Sequence, residues 1–121
     1  MSGAIIECVP NFSEGIDAER VEAIVASMRV DGVHLLDWSM DADHNRSVVT
    51  IAGEPAWVVE AAVRGAGKAA ELIDLTRHQG AHPRMGATDV IPFIPIDGVT
   101  IEDCVAMARH VGTEILSLIH I

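Results

Sequence analysis

Tyrosine is absent from the 121 residues, and phenylalanine and tryptophan contribute only two each. With so few rings, the chain lacks the aromatic platforms on which proteins stack nucleic-acid bases. Positive charge is equally scarce: 8 Lys and Arg stand against 18 Asp and Glu, for a formal net charge of −10. A surface of that sign cannot neutralise phosphates, so a nucleic-acid partner is not expected. No apolar run approaches the roughly 18–20 residues that a membrane span requires, which argues against a membrane partner. Met1-Ser2-Gly3-Ala4 has neither a basic start nor a long apolar stretch, so no signal peptide and a cytoplasmic location are expected. Cysteine is limited to Cys8 and Cys104, which fall in apolar patterns and offer neither a disulfide framework nor a metal-ligand spacing. Two buried, reduced thiols are expected. The Asn11-Phe12-Ser13 sequon has no consequence off the secretory route.

What the chain does have is apolar residues, half of the total, and a length that suits one domain. Ile5 to Val9 is a β-branched run closed by Pro10 and Asn11, a strand pattern. Asp17 is placed to cap a helix with Val21, Ile24, Val25 and Met28 on its inner face. A second strand is expected from Val33 to Trp38, a polar loop over Ser39–Asn45, and a third strand from Arg46 to Ala52. Pro55 sits in the first turn of the longest helix, whose buried stripe is read as Val59, Val63, Ala66, Ala70 and Ile73. Gly65 and Gly67 in that helix suggest close approach to a sheet. Val90 to Ile96 carries two prolines, Pro92 and Pro95, which confine it to a sheet edge or a stretch with few ladder bonds. Thr100 and Asp103 make a capping box for a last helix that buries Cys104, Val105, Ala108 and Val111. The order β-α-β-β-α-β followed by a helix predicts an α+β, ferredoxin-like sandwich: a four-stranded, largely antiparallel sheet with helices on one face. A sheet apolar on both sides would then need a second subdomain or a second subunit, and a homodimer is one way to supply it.

Polar chemistry concentrates in two stretches, Asp37 to Arg46 and Arg77 to Asp89. In the second, Gly80, Pro83 and Gly86 rule out a regular helix, so His78, His82, Arg84 and Asp89 ride on an irregular loop between two apolar elements. That placement is common for active sites, and it is also what an ordinary polar surface loop looks like. A metal reading would recruit Asp41, Asp43, His44, His78 and His82. The i, i+4 spacing of the two last histidines is denied a helix by Gly80 and Pro83, and no metal is expected. An acid–base reading fits better: a histidine titrates near neutrality, and Arg46 and Arg84 suit carboxylates. Asp43-His44-Asn45 is equally readable as a turn held by side-chain-to-backbone bonds. His34 and His110 are assigned structural or surface roles.

Three stretches resemble a known family. They are Glu7-Cys8-Val9-Pro10-Asn11-Phe12-Ser13-Glu14-Gly15, Asp41-Ala42-Asp43-His44-Asn45-Arg46-Ser47-Val48, and Arg77 through Pro95. They resemble the N-terminal subdomain of the formiminotransferase domain found in glutamate formimidoyltransferase and formimidoyltransferase-cyclodeaminase. With the intervening elements the resemblance spans residues 4–115. It implies a folate-dependent transferase, moving a formimino group from N-formimino-L-glutamate to N5 of tetrahydrofolate in histidine degradation. Tetrahydrofolate would be a co-substrate, with no metal required.

His82 matches the family's catalytic histidine, and the resemblance implies that it takes the N5 proton. Asp41 is the first candidate for the carboxylate beside the amidine and Asp43 the second, although some relatives carry an acidic residue near position 39, where this chain has Ser39. Asn11, Asp43, Asn45, Arg46, Arg84 and Gly86 are the candidates for contacting substrate. In the family, folate lies between this subdomain and a second one. The chain is therefore expected to be an incomplete subdomain over residues 1–115, inactive alone and lacking its C-terminal partner subdomain. Residues 116–121 resemble the translation of a transposon-end sequencing adaptor, and they are expected to be a non-native tail. A non-catalytic, ferredoxin-like amino-acid-binding module is the alternative; it would place its ligand at a sheet edge, with His82 remote.

Overall fold

The structure, a computed structural model, describes residues 3–73 and 87–119. Two consecutive strands, β1 (Ile5–Cys8) and β2 (Asn11–Phe12), lead into α1 (Ala18–Ser27). The hairpin β3 (Val33–Asp41) and β4 (Arg46–Gly53) follows, then α2 (Pro55–Leu72), β5 (Thr88–Val90), β6 (Phe93–Asp97) and α3 (Ile101–Ile119). All strand pairs are antiparallel: β3 pairs with β4, β4 with both β1 and β2, β1 with β6, and β2 with β5. Counting β1 with β2, and β5 with β6, as two interrupted strands gives the expected four-stranded ferredoxin-like sheet, with the first strand central.

Prolines make the two interruptions. Pro10 has no N–H to give, yet its carbonyl still accepts from Val49 N–H at 3.1 Å. Pro92 likewise accepts from Val9 N–H at 3.2 Å, so the ladder passes both breaks through carbonyls alone. β6, which carries Pro95, has β1 as its only partner strand in the described sheet and stands at an edge, as proline demands.

The helices cover one face. Ile6, Cys8, Phe12, Val49 and Ile51 from the sheet cluster with Val21, Ile24, Met28, Val58, Ala61, Ala69 and Cys104 from the helices. α1 starts at Asp17, whose carboxylate accepts from Glu19 N–H and Arg20 N–H at 3.0 and 3.3 Å. α3 starts on the expected capping box, with Thr100 and Asp103 exchanging 3.0 Å bonds. Burial deep in this core pushes the Cys8 thiol up to about 12, far from reactive thiolate at neutral pH.

Three expectations change. β3 runs on to Asp41 because Ser39, Met40 and Asp41 find partners in Val48, Ser47 and Arg46; the loop shrinks to residues 42–45. In α2 the fully buried residues are Val58, Ala61, Ala62, Gly65, Ala66 and Ala69, whereas Ala70 is exposed and Val59 and Val63 are half-buried. The small side chains turn inward because α2 is squeezed by its neighbours. A Cβ on Gly65 would lie 2.7 Å from Met28 Sδ and 3.3 Å from Phe12 Cζ. In α3, Cys104 and Val111 are buried, but Val105 is 45% exposed and Ala108 is exposed. Among the described residues no helix is long and apolar enough to cross a membrane.

Replacing Phe12, fully buried at the centre of the core, should separate these roles. Phe12→Ala is expected to cost about 3–5 kcal/mol. Val105→Ala should stay within about 0.5 kcal/mol, both read by urea unfolding.

Candidate active site

Burial alternates along β4, with Ser47, Val49, Ile51 and Gly53 buried and Arg46, Val48, Thr50 and Ala52 only half so. The second set lies on the face opposite the helices. Register carries that face across the sheet. Asp41 pairs with Arg46, Ser39 with Val48, Asp37 with Thr50 and His34 with Ala52. From the other side Asn11 pairs with Val48 and Val90, and Glu7 with Ala52 and Ile94. Among the described residues no helix covers this surface, and Ile94 on it is 38% exposed. An apolar patch bearing Glu7, Asp37, Asp41, Arg46 and Asn11 is thus presented on the bare side.

One end of that face is tightly built. Phe12 pairs with Ser47 on one side and Thr88 on the other, and Ser13 N–H donates to Ala87 O at 2.8 Å. The next residues leave the sheet and press on the hairpin. A Cβ on Gly15 would lie 2.3 Å from Arg46 N and Asp41 O, so only glycine fits. Asn45, 6% exposed and at φ 50°, accepts from Gly15 N–H through Oδ1 at 2.8 Å. Glu14, also buried, accepts from Ile16 and Asp17 N–H at 3.1 Å each and from Arg20 Nη1 at 3.1 Å. The segment from Asn11 to Gly15 is thereby tied to the hairpin, to α1 and to the strand that begins after the Arg77–Gly86 run.

Asp41 organises the hairpin turn. Its Oδ1 accepts from Asp43 N–H and His44 N–H at 3.0 and 3.3 Å, and its Oδ2 lies 2.7 Å from His44 Nδ1. The His44 ring beside it holds the Asp41 carboxyl below the usual carboxylate range, and the backbone N–H groups of His44 and Asp43 act in the same direction. The pairing of Asp41 with His44 was not anticipated from the sequence, although a D-x-x-H turn is the signal that carries it. Arg46 makes no ion pair among the described residues, which leaves a half-buried guanidinium able to grip a carboxylate.

Of the residues singled out from the sequence, Asn11, Asp41 and Arg46 share the open face. Asn11 donates to Val9 O at 3.1 Å. Asp43 is exposed on the turn, and Asn45 is spent on Gly15. His82, Arg84 and Gly86 lie outside the described residues, as do Arg77 and His78. His34 is exposed on the open face, and His110 pairs with Glu114 at 3.2 Å on the surface of α3. Among the described residues no group of three or more His, Cys, Asp or Glu is gathered to hold a metal.

These features define an α+β domain of ferredoxin-like plan whose polar residues gather at one end of an uncovered sheet face. The model of one protein family, the formiminotransferase domain, N-terminal subdomain, matches residues 5–121, and the chain belongs to that family. It is 48% identical over 112 residues to the glutamate formimidoyltransferase of Streptococcus pyogenes serotype M1, covering 92% of this chain and 38% of that one. The enzyme of the same name from Thermoplasma acidophilum is 49% identical over 113 residues, with 93% and 37% covered. The formimidoyltransferase-cyclodeaminase of Mus musculus is 48% identical over 109 residues, with 89% and 20% covered. The chain therefore spans about two fifths or less of the length of these relatives.

Asn45→Ala should leave Gly15 N–H buried and unpaired, costing about 1–3 kcal/mol in denaturant unfolding. Asp41 has its carboxyl depressed in the folded state, so its stabilisation is present above the aspartate range of about 4 and lost as pH falls through it. The stability gap between wild type and Asp41→Asn should accordingly narrow on acidification below about pH 4, measured by thermal unfolding across pH.

Proposed function

We propose that this chain is the N-terminal part of a glutamate formimidoyltransferase. The whole protein would transfer a formimino group from N-formimino-L-glutamate to N5 of tetrahydrofolate, the cosubstrate, in histidine degradation. Family membership and the names of the relatives support the activity. The observation that carries the site is the bond from Ser13 to Ala87. It sets the strand that follows the Arg77–Gly86 run two strands from the Asp41–Arg46 hairpin, at the same end of the sheet. Four residues, hence five Cα–Cα steps, separate His82 from Ala87, a tether of at most about 18 Å.

In this reading His82 is the general base that takes the proton from N5 as that nitrogen attacks the amidine carbon. The amidine reacts best as its cation, and the carboxylate of Asp41 favours that charge. Arg46 and Arg84 hold substrate carboxylates, with Asn11, Asp43 and Gly86 completing the polar contacts, while Asn45 braces the turn through Gly15. The bare sheet face is the side on which the remainder of the parent chain, a C-terminal subdomain, closes the folate groove. With that half missing, the 121 residues alone are expected to be inactive.

Formimino transfer by the full-length parent protein tests the reading. His82→Ala should lower kcat by about 10²–10⁴-fold with the fold intact by circular dichroism. Undiminished turnover in that variant would remove His82 from the mechanism, and stoichiometric zinc in the purified protein would replace the reading with a metal-dependent one.

A further inference from the structure

The Asp41–His44 pair goes beyond the base just described and rests on the proposed formimino transfer. Transfer requires two proton movements on different nitrogens. N5 loses a proton as its bond to the amidine carbon forms. The glutamate nitrogen must gain one as its bond to that carbon breaks, because an alkyl amide ion is too basic to leave unprotonated. A separate base handles the first movement, and the second needs an acid near the departing amine.

We propose that His44 is that acid and that Asp41 is its positioning residue. Both carboxylate oxygens of Asp41 are engaged within the turn: Oδ1 by two backbone N–H groups and Oδ2 by His44 Nδ1 at 2.7 Å. Besides the charge that it lends the amidine, Asp41 therefore also acts through the ring it holds. A carboxylate that accepts from Nδ1–H fixes the tautomer and orientation of the ring, leaving Nε2 as the nitrogen that carries the transferable proton. The proton that His44 delivers is then the one on Nε2.

Placement supports the leaving-group side. Asp41 and Arg46 are cross-strand partners on the open face, and Arg46 is without an ion pair among the described residues. In formiminoglutamate the α-carboxylate and the departing nitrogen share one carbon. An α-carboxylate gripped by Arg46 brings that nitrogen to the end of the hairpin where His44 stands. His44 gives its Nε2 proton to the nitrogen as the C–N bond breaks, glutamate leaves as the amine, and the formimino group stays on N5. The His44 side chain is 37% exposed and is reprotonated from solvent between turnovers.

The test uses the full-length parent protein and two donors. One is formiminoglutamate and the other a 4-nitrophenyl formimidate, whose C–O bond breaks to release a stable phenolate that needs no proton. With the first donor, His44→Gln should lower kcat about 10²-fold, change KM less than about threefold, and abolish the alkaline limb of the kcat–pH profile. With the second, its kcat should return to within about threefold of wild type, and Asp41→Asn should follow the same pattern more weakly. Equal losses with both donors, or an unchanged pH profile in His44→Gln, would overturn the assignment. Wild type inert toward both donors would overturn the transferase reading itself, and this inference with it. Should His44→Gln fail to fold, ring ¹⁵N shifts of the wild type decide. A neutral ring protonated at Nδ1 and titrating at Nε2 supports the role, and the opposite tautomer ends it.

Discussion

The side-chain carbonyl of Asn45 holds together everything that carries chemistry in this domain. It accepts the Gly15 N–H from inside the hairpin turn, on a residue whose positive φ is one that asparagine tolerates better than most. Gly15 lies flat on the Asp41 and Arg46 backbone because it has no Cβ. Three segments distant in sequence meet there: the end of the first strand, the β3–β4 turn, and through Ser13 the start of β5. Asn11, Asp41 and Arg46 keep their mutual placement only while that junction is closed.

The sheet separates stability from chemistry by a period of two. Alternate residues of β4 enter the core, and those between them face the bare side. A one-residue slip would exchange the two sets. The prolines protect against this in an indirect way: Pro10 and Pro92 interrupt the first and last strands opposite each other, and the pairings on either side are set separately. The face that no described helix covers is acidic and apolar at once, with Glu7, Asp37 and Asp41 beside Val48 and Ile94. That combination suits a surface meant to be closed by more protein around a polar ligand.

Much of this was readable in the residue pattern. The order of elements, the Asp17 cap, the Thr100–Asp103 box and the edge position of the proline-bearing strand follow from local rules, and local rules sufficed. The inner faces of α2 and α3 did not follow. Hydrophobicity favoured Val59, Val63 and Val105, but contact with α1 and the sheet selected alanines and Gly65, because distance of approach, not apolarity, limited that helix. The polar residues of the open face, Asn11, Asp41 and Arg46, were legible by type. The division of labour around them was not: Asn45 reads like a ligand contact and serves as a clamp, while His44 reads like a turn residue and pairs with Asp41.

By itself the sequence determined the class of fold, the family and the two polar stretches, since periodicity, turn chemistry and long ungapped motifs are properties of the chain in one dimension. Which face of the sheet stays bare, and that Asn11, Asp41 and Arg46 stand on it together, was decided by strand register. Register depends on pairings between residues tens of positions apart, and these exist only once the hairpin, the first strand and β5 have closed on one another.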